Sequence, residues 1–217
     1  QRAPVFLLKQ YAGSFSSIGL YSKARSLGSK TEQVAKPFNN LVFSYTANTD
    51  SSIKKTTRIN TLCRVYLSLL TFIVIILSLF IEDIIIFLYG IEFKKSAEIF
   101  YYIAPAIIFF PTSRFINGYF AATGFIKRVF ITNFSILLIT VFSGYFLINS
   151  FEAIGAALTL SLAYFLLFVI FLIQYVHIDN VSLVDVIIIK KKDFQKIKPS
   201  FQNFYKHIKK RIKPRNN

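Results

Sequence analysis

Two stretches of this sequence carry no charged residue: VFITNFSILLITVFSGYFLI at residues 129–148 and AIGAALTLSLAYFLLFVIFLIQYV at residues 153–176. About 20 helical residues, rising about 1.5 Å each, cross the ~30 Å hydrocarbon layer of a bilayer. Both stretches reach that length, and neither has the polar stripe that a soluble amphipathic helix turns toward water. They therefore predict an all-α, polytopic membrane protein.

The composition agrees with that class. Apolar residues make up 54% of the chain, Phe occurs 25 times and the mean hydropathy is +0.52, which excludes an ordinary soluble domain. The net charge is +16, and eleven of the 26 basic residues lie in 190–215. Such a cluster after the last apolar stretch favours anionic cytoplasmic lipid, at about 1 kcal/mol for each charge. Nucleic acid is the alternative partner, but no nucleic-acid-binding fold signature accompanies the cluster. The expected lipid-binding residues are Lys190, Lys191, Lys192, Lys209, Lys210 and Arg211.

Residues with catalytic or metal-binding chemistry are few. Cys63 is the single cysteine, and the two histidines, His177 and His207, are far apart and lack a partner at metal-ligand spacing. Glu82 and Asp83 are adjacent, so they point to different sides of a helix and cannot form a facing pair. We interpret these two acids as a polar collar at the membrane surface. The sequence predicts no metal, no cofactor and no enzymatic activity.

The sequence contains no methionine, not even at position 1. The first nine residues also lack the basic start, apolar stretch and small-residue cleavage site of a secretory signal. This pattern favours a fragment that begins inside a longer protein.

Hydropathy and helix breakers predict five membrane crossings. The first is weak, because it contains five charged residues and Pro37, and the third contains two prolines and Arg114. The fourth and fifth are the two charge-free stretches, separated by a loop at 149–153. The five crossings are residues 18–46, 65–88, 97–122, 129–148 and 153–176.

Charges in the connecting segments predict the orientation. Residues 48–64, 123–128 and the tail are basic, whereas residues 89–96 and 149–153 are nearly balanced or acidic. Basic segments stay in the cytoplasm, so these segments alternate between the two sides and the C-terminus is cytoplasmic. In this interpretation residues 1–178 form the transmembrane unit and residues 179–217 a basic cytoplasmic tail.

Cations inside the predicted crossings are the candidate functional residues. Lys23, Arg25 and Lys30 would lie in the outer half of the first crossing, where a lipid-facing cation is costly. They would be tolerated along a water-filled pathway, or alternatively at a solvated helix end that contacts lipid phosphate. Arg114 and Asn117 follow Pro111, and proline frees a backbone group that protein or cavity water must satisfy. Arg114 would therefore face a wet cavity or would extend to the nearby membrane surface.

Short motifs in the chain resemble those of bacterial polysaccharide flippases of the multidrug/oligosaccharidyl-lipid/polysaccharide exporter superfamily. The first resembles the signature G…(V/I)GLYSxA at the junction of helices seven and eight of that family. Each motif alone consists of small residues at helix ends and packing faces, but the four occur in the family's order and spacing over residues 6–176. They are Gly13 with residues 18–24; residues 85–90 with Glu92, Phe93, Ser96 and Ala97; residues 120–124 with Lys127; and residues 154–157 with Ser161.

This resemblance implies one lobe of a two-lobe transporter in the plasma (inner) membrane, comprising the end of helix seven through helix twelve. The substrate class that it implies is an undecaprenyl-pyrophosphate-linked oligosaccharide, carried between leaflets by alternating access together with a missing N-terminal lobe. The residues available to line the pathway of such a substrate are the cations Lys23, Arg25, Lys30 and Arg114, together with Asn117. Two alternatives remain: a multidrug or metabolite antiporter of the same superfamily, and a membrane polysaccharide polymerase. The basic first crossing disfavours the former, and the short external segments disfavour the latter.

Overall fold

The computed structural model describes residues 3–11, 15–48 and 51–189. These residues form helices with no strand among them, which confirms the all-α prediction. A 3-10 turn at Ile91–Phe93 precedes α4. The helices are α1 (Ala3–Tyr11), α2 (Phe15–Ala47), α3 (Ser52–Tyr89), α4 (Lys95–Ala122), α5 (Ile126–Asp179) and α6 (Leu183–Ile187).

Three of these helices, α3, α4 and α5, are long and apolar enough to cross a membrane by length and composition. They contain four of the five predicted crossings, because α5 contains the last two. The weak first crossing corresponds to α2, which is helical over 33 residues but does not reach the hydropathy of the other three. The membrane class therefore follows from the most apolar helices of the described chain.

Helix α5 is a tight antiparallel hairpin. Its 54 residues are helical except at Glu152, which has φ 44° and ψ −116°. Gln174 Nε2 donates a hydrogen bond of 3.0 Å to Thr132 Oγ1. A straight helix would hold residues 42 positions apart at about 63 Å, so the arms 126–151 and 153–179 fold back on each other.

The predicted loop at 149–153 is therefore wrong, because only Glu152 leaves the helical conformation. The physical reason is the residue at 155. A Cβ on Gly155 would lie 1.9 Å from the carbonyl oxygen of Leu147, so glycine lets the second arm pack directly on the backbone of the first. Gly90 and Gly124 differ from Gly155 because they lie at helix ends with φ 95° and φ 89°, a positive φ that glycine commonly supplies at helix termini.

Helix α4 is the centre of the bundle, packing against α2, α3 and α5. Its buried face includes large aromatic and aliphatic side chains such as Phe100, Ile107 and Phe120. Pro105 removes a backbone hydrogen bond from this helix, and in the turn before it the Ser161 hydroxyl of α5 donates to the carbonyl oxygen of Tyr102. This contact connects the turn before the proline to the neighbouring helix.

Side-chain contacts place the helix ends at two opposite poles of the bundle. At one pole, Tyr175 of α5 donates to Asn60 Oδ1 of α3 at 2.7 Å, and Tyr119 of α4 donates to Asp179 Oδ1 at 2.6 Å. We call this pole the basic end, because the helix ends that meet there carry Lys54, Lys55, Arg58, Arg64, Lys127 and Arg128.

The opposite pole, the hairpin end, holds Glu152. Ser17, near the start of α2, donates its hydroxyl to the Glu152 carboxylate, and Lys23 lies over Tyr89 at the end of α3. The connecting segments therefore alternate between the two poles in the order that the charge pattern predicts. Which pole faces the cytoplasm remains a prediction.

Candidate functional site

Helices α2 and α4 approach each other closely at Gly28. A Cβ at this position would lie 3.0 Å from the side chain of Ile107 on α4, and Ala24, one turn earlier on α2, is also buried. Small residues four apart let two helices approach closely in an apolar environment. The close approach positions Arg25, whose Nη1 lies 3.6 Å from that same Cβ position. Arg25 as a whole is half-buried, its Nη1 is buried, and the side chain is thus held at the level of Ile107.

Arg114 lies on the same face of α4 as Ile107, since seven residues are two helical turns, or about 10 Å along the axis. The two residues differ sharply in exposure: Ile107 is 0% exposed beneath α2, whereas Arg114 is exposed. Its guanidinium lies 6.0 Å from the centroid of the Phe110 ring. The face of α4 that α2 covers at Ile107 is therefore open at Arg114, and Asn117 lies half-buried one turn further on. We call this region the α2–α4 face.

Lys23, another cation of the predicted set, lies away from this face. Lys23 Nζ is 4.6 Å from the centroid of the Tyr89 ring and 5.4 Å from that of Phe93. Such cation–π contacts use the ammonium charge to link α2 to the hairpin end. Lys30 is exposed. The geometry therefore associates Arg25 and Arg114 with one face and separates Lys23 from them.

The predicted lipid-binding residues of the tail, from Lys190 onward, lie outside the described residues, as does Gly13 of the first motif. The described residues do contain the two acids of the predicted collar. Glu82 and Asp83 are both exposed, near the end of α3.

Glu82 belongs to a charged groove that sequence reasoning did not predict. The groove is open to solvent, has a volume of about 540 Å³ and lies at the hairpin end. Glu82 Oε1 lies 2.8 Å from Lys94 Nζ, and the hydrogen bond and charge of this carboxylate raise the pKa of Lys94. The groove carries both signs of charge, and the described residues contain no group of three or more His, Cys, Asp or Glu side chains suited to a metal ion. It is lined by Glu82, Ile91, Glu92, Lys94, Lys95, Ala97, Glu98 and Tyr101.

A second set of contacts that the sequence did not indicate closes the basic end. Arg64 is 6% exposed, and its guanidinium donates to the carbonyl oxygen of Asp185 in α6. Tyr119 and Asp179 pair across 60 residues. Residues so distant in sequence follow no common periodicity, so their contacts could not be predicted. The one available signal was the hydrophobic segment 183–188 after the last crossing, which could have indicated a helix that docks on the bundle.

No protein-family model, curated protein or solved structure matches this chain. The likeness to polysaccharide flippases therefore rests on the four motifs alone.

Proposed function

We propose that this chain is the C-terminal lobe of a flippase that carries undecaprenyl-pyrophosphate-linked oligosaccharide across the plasma membrane. In this proposal α2, α3, α4 and the two arms of α5 are five crossings, and α1 is the end of the helix before them. The basic end lies in the cytoplasm, in accord with the charge pattern. The lobe works by alternating access with an N-terminal lobe that supplies the other wall of the pathway.

The observation that supports this function is the pair of arginines on the α2–α4 face. A diphosphate and its sugar chain cannot enter hydrocarbon without compensating charges and hydrogen-bond donors. Arginine offers a planar fork that binds phosphate oxygens through two parallel hydrogen bonds. Arg25 lies beside Gly28, and Arg114 lies two turns along α4 where the face is open. A diphosphate moving along this face could pass from one guanidinium to the other while its lipid tail stays in the bilayer.

Alanine substitutions test the proposal in cells that depend on the transporter for export of a surface polysaccharide. The chain is expressed with the N-terminal lobe of the proposed parent, and exported glycan is measured per copy of transporter. Each lost charge-assisted contact costs about 1.5–3 kcal/mol. Arg25→Ala and Arg114→Ala should therefore each lower export roughly tenfold to hundredfold if transport limits the flux. Arg114→Lys separates the two modes of binding, because lysine retains the charge but not the bidentate geometry.

Lys9→Ala is the matched control, because Lys9 is an exposed cation on α1, a helix that packs mainly against α5. Export should stay at the unsubstituted level in this variant. Full export by the Arg25→Ala, Arg114→Ala double variant would remove both residues from the pathway and refute the proposal.

The two-lobe arrangement is tested separately. A single lobe has no opposite wall, so the polar groups of its pathway would face lipid at a cost of several kcal/mol for each unsatisfied group. We expect residues 1–217 alone to give no export and to regain it when the N-terminal lobe is supplied. Export by this chain alone would contradict the arrangement.

A further inference from the structure

The short helix α6 is docked on the flank of α3 in one orientation. Val186 is its one buried residue at 1% exposure, and the buried guanidinium of Arg64 donates to the carbonyl oxygen of Asp185. A hydrogen bond from a buried cation is among the stronger ones in proteins, so it fixes the rotation of this helix. The side chains directed away from the bundle are apolar and exposed: Leu183 at 49%, Val184 at 52%, Ile187 at 38% and Ile188 at 55%.

Arg64, a residue of α3 that α6 contacts, determines the depth of α6 along the bundle. The 38 residues of α3 measure about 57 Å, nearly twice the ~30 Å hydrocarbon layer, so one or both of its ends extend beyond the layer. Exposed side chains before Arg64 include Lys54, Thr57 and Arg58. Between Arg64 and Glu82 the exposed side chains are all apolar, namely Leu69, Phe72, Ile75, Ile76, Leu79 and Phe80. Arg64 thus marks the point on α3 where a wet surface changes to a lipid-compatible one, and α6 lies at that point.

Exposed cations surround the same pole. Lys54 lies on the first turn of α3, and Lys127 and Arg128 lie on the first turn of α5. The Tyr119–Asp179 hydrogen bond brings the end of α4, next to Lys127, to the end of α5, four residues before α6. An apolar surface at the boundary depth with cations beside it matches the two layers of an anionic membrane surface, acyl chains and phosphates.

We propose that α6 is an interfacial membrane anchor. Its exposed side chains at 183, 184, 187 and 188 enter the boundary between headgroups and acyl chains, while Lys54, Lys127 and Arg128 bind the phosphates of anionic lipids. The anchor fixes the depth of the basic end in the bilayer. This proposal depends on the membrane location of the bundle and not on its transport activity, so it stands or fails independently of the flippase proposal.

The depth of α6 in the bilayer can be measured with single introduced tryptophans. The chain contains no tryptophan of its own, so the fluorescence of each variant comes from the introduced residue. Val184→Trp in the full chain, reconstituted in vesicles, is probed with lipids brominated near the headgroup end or near the methyl end of the acyl chain. Phe72→Trp, in the middle of α3, is the deep control, and N-acetyltryptophanamide free in solution is the water control. Leu183→Trp is a second probe of the same surface. Protection of the buried Cys63 thiol from alkylation confirms that each variant is folded.

We expect bromines near the headgroup to quench Val184→Trp most strongly, whereas bromines near the methyl end quench Phe72→Trp most strongly. Water-like emission without quenching at both positions 183 and 184, or quenching as deep as that of Phe72→Trp, would refute the anchor.

The lipid preference is tested by placing the bromines on phosphatidylglycerol or on phosphatidylcholine in a mixed bilayer. The anionic lipid should quench Val184→Trp more strongly, since each cation favours it by up to about fivefold. Lys54→Gln, Lys127→Gln and Arg128→Gln together should bring the ratio of the two close to one, as should high salt. Equal quenching by both lipids with the cations intact would show that no anionic headgroup is bound and would overturn that part of the proposal.

Discussion

Gly155→Ala is expected to open the α5 hairpin and destabilise the protein. The new Cβ would lie 1.9 Å from the carbonyl oxygen of Leu147, 2.4 Å from its carbonyl carbon and 2.9 Å from Cα of Ile148. Ordinary contacts between such atoms begin near 3.4 Å, so the second arm must move by more than 1 Å. All three obstructing atoms belong to the backbone, and no rotamer change can relieve the contact.

The expected size of the effect follows from two opposing contributions. Alanine is favoured over glycine in a helix by about 1 kcal/mol. Overpacking costs typically 1–3 kcal/mol, and occasionally more. The backbone contact at Gly155 belongs to the upper part of that range, so we expect a net loss of about 2 kcal/mol or more.

Gly19→Ala is the matched control, because Gly19 is also helical and its added Cβ would meet Phe93 at an ordinary 4.0 Å. Here the helix preference is unopposed, so the free energy of unfolding should stay equal or rise by up to about 1 kcal/mol. The assay is the rate of alkylation of Cys63, which is 0% exposed and reacts when the bundle opens, measured in mixed micelles over a denaturing detergent series. Faster alkylation of Gly155→Ala and unchanged or slower alkylation of Gly19→Ala are expected. Equal alkylation rates in Gly155→Ala and the unsubstituted protein would show that the arms do not pack as described.

Three other contacts give further expectations. Tyr119→Phe leaves the Asp179 carboxylate without its donor and should lower the free energy of unfolding by about 1.5–3 kcal/mol. Tyr101→Phe, which loses an exposed 3.0 Å hydrogen bond to the Ser78 carbonyl, should lower it by less than about 1 kcal/mol, and similar losses in the two variants would show that the Tyr119–Asp179 pair contributes no more than an exposed bond. Gly90→Ala should lower the free energy of unfolding by about 1–3 kcal/mol, because alanine is strained at φ 95°. No atom lies within 4 Å of the new Cβ, so the effect comes from the backbone and not from a clash. An unchanged unfolding midpoint would contradict this backbone conformation. In a Cys63→Ser background, an impermeant thiol reagent should label Glu92→Cys in intact cells and Thr57→Cys only after permeabilisation, and the reverse pattern would invert the proposed orientation.

The positions of the helices were predictable because hydropathy acts locally. An uncharged run of about 20 apolar residues has few stable alternatives to a membrane helix, and the runs at 129–148 and 153–176 lie within the two arms of α5. The loop predicted between them, at 149–153, was too long. No pattern in the neighbouring residues indicates that Glu152 alone adopts a non-helical φ of 44°. Gly155 follows the turn at Glu152, and its position is explained by the opposing backbone of Leu147, which lies eight residues earlier.

The candidate site was predictable only in part. A cation within a predicted membrane crossing can be recognised from sequence alone, so Arg25 and Arg114 could be named as candidates. Their shared relation to Ile107 depends on how α2 crosses α4, which the sequence does not encode locally. The contact of Arg64 with α6 spans 121 residues and involves a backbone carbonyl, which leaves no side-chain pattern to detect.

The single-residue turn at Glu152 also determines how the α5 pair can move and insert. A connection without slack makes the arms 126–151 and 153–179 one unit of insertion, because neither arm can enter a membrane far from the other. Once inserted, the pair can tilt as a lever but cannot separate at that end without breaking helical backbone bonds. At the hairpin end, a displacement of one arm therefore carries the other arm with it.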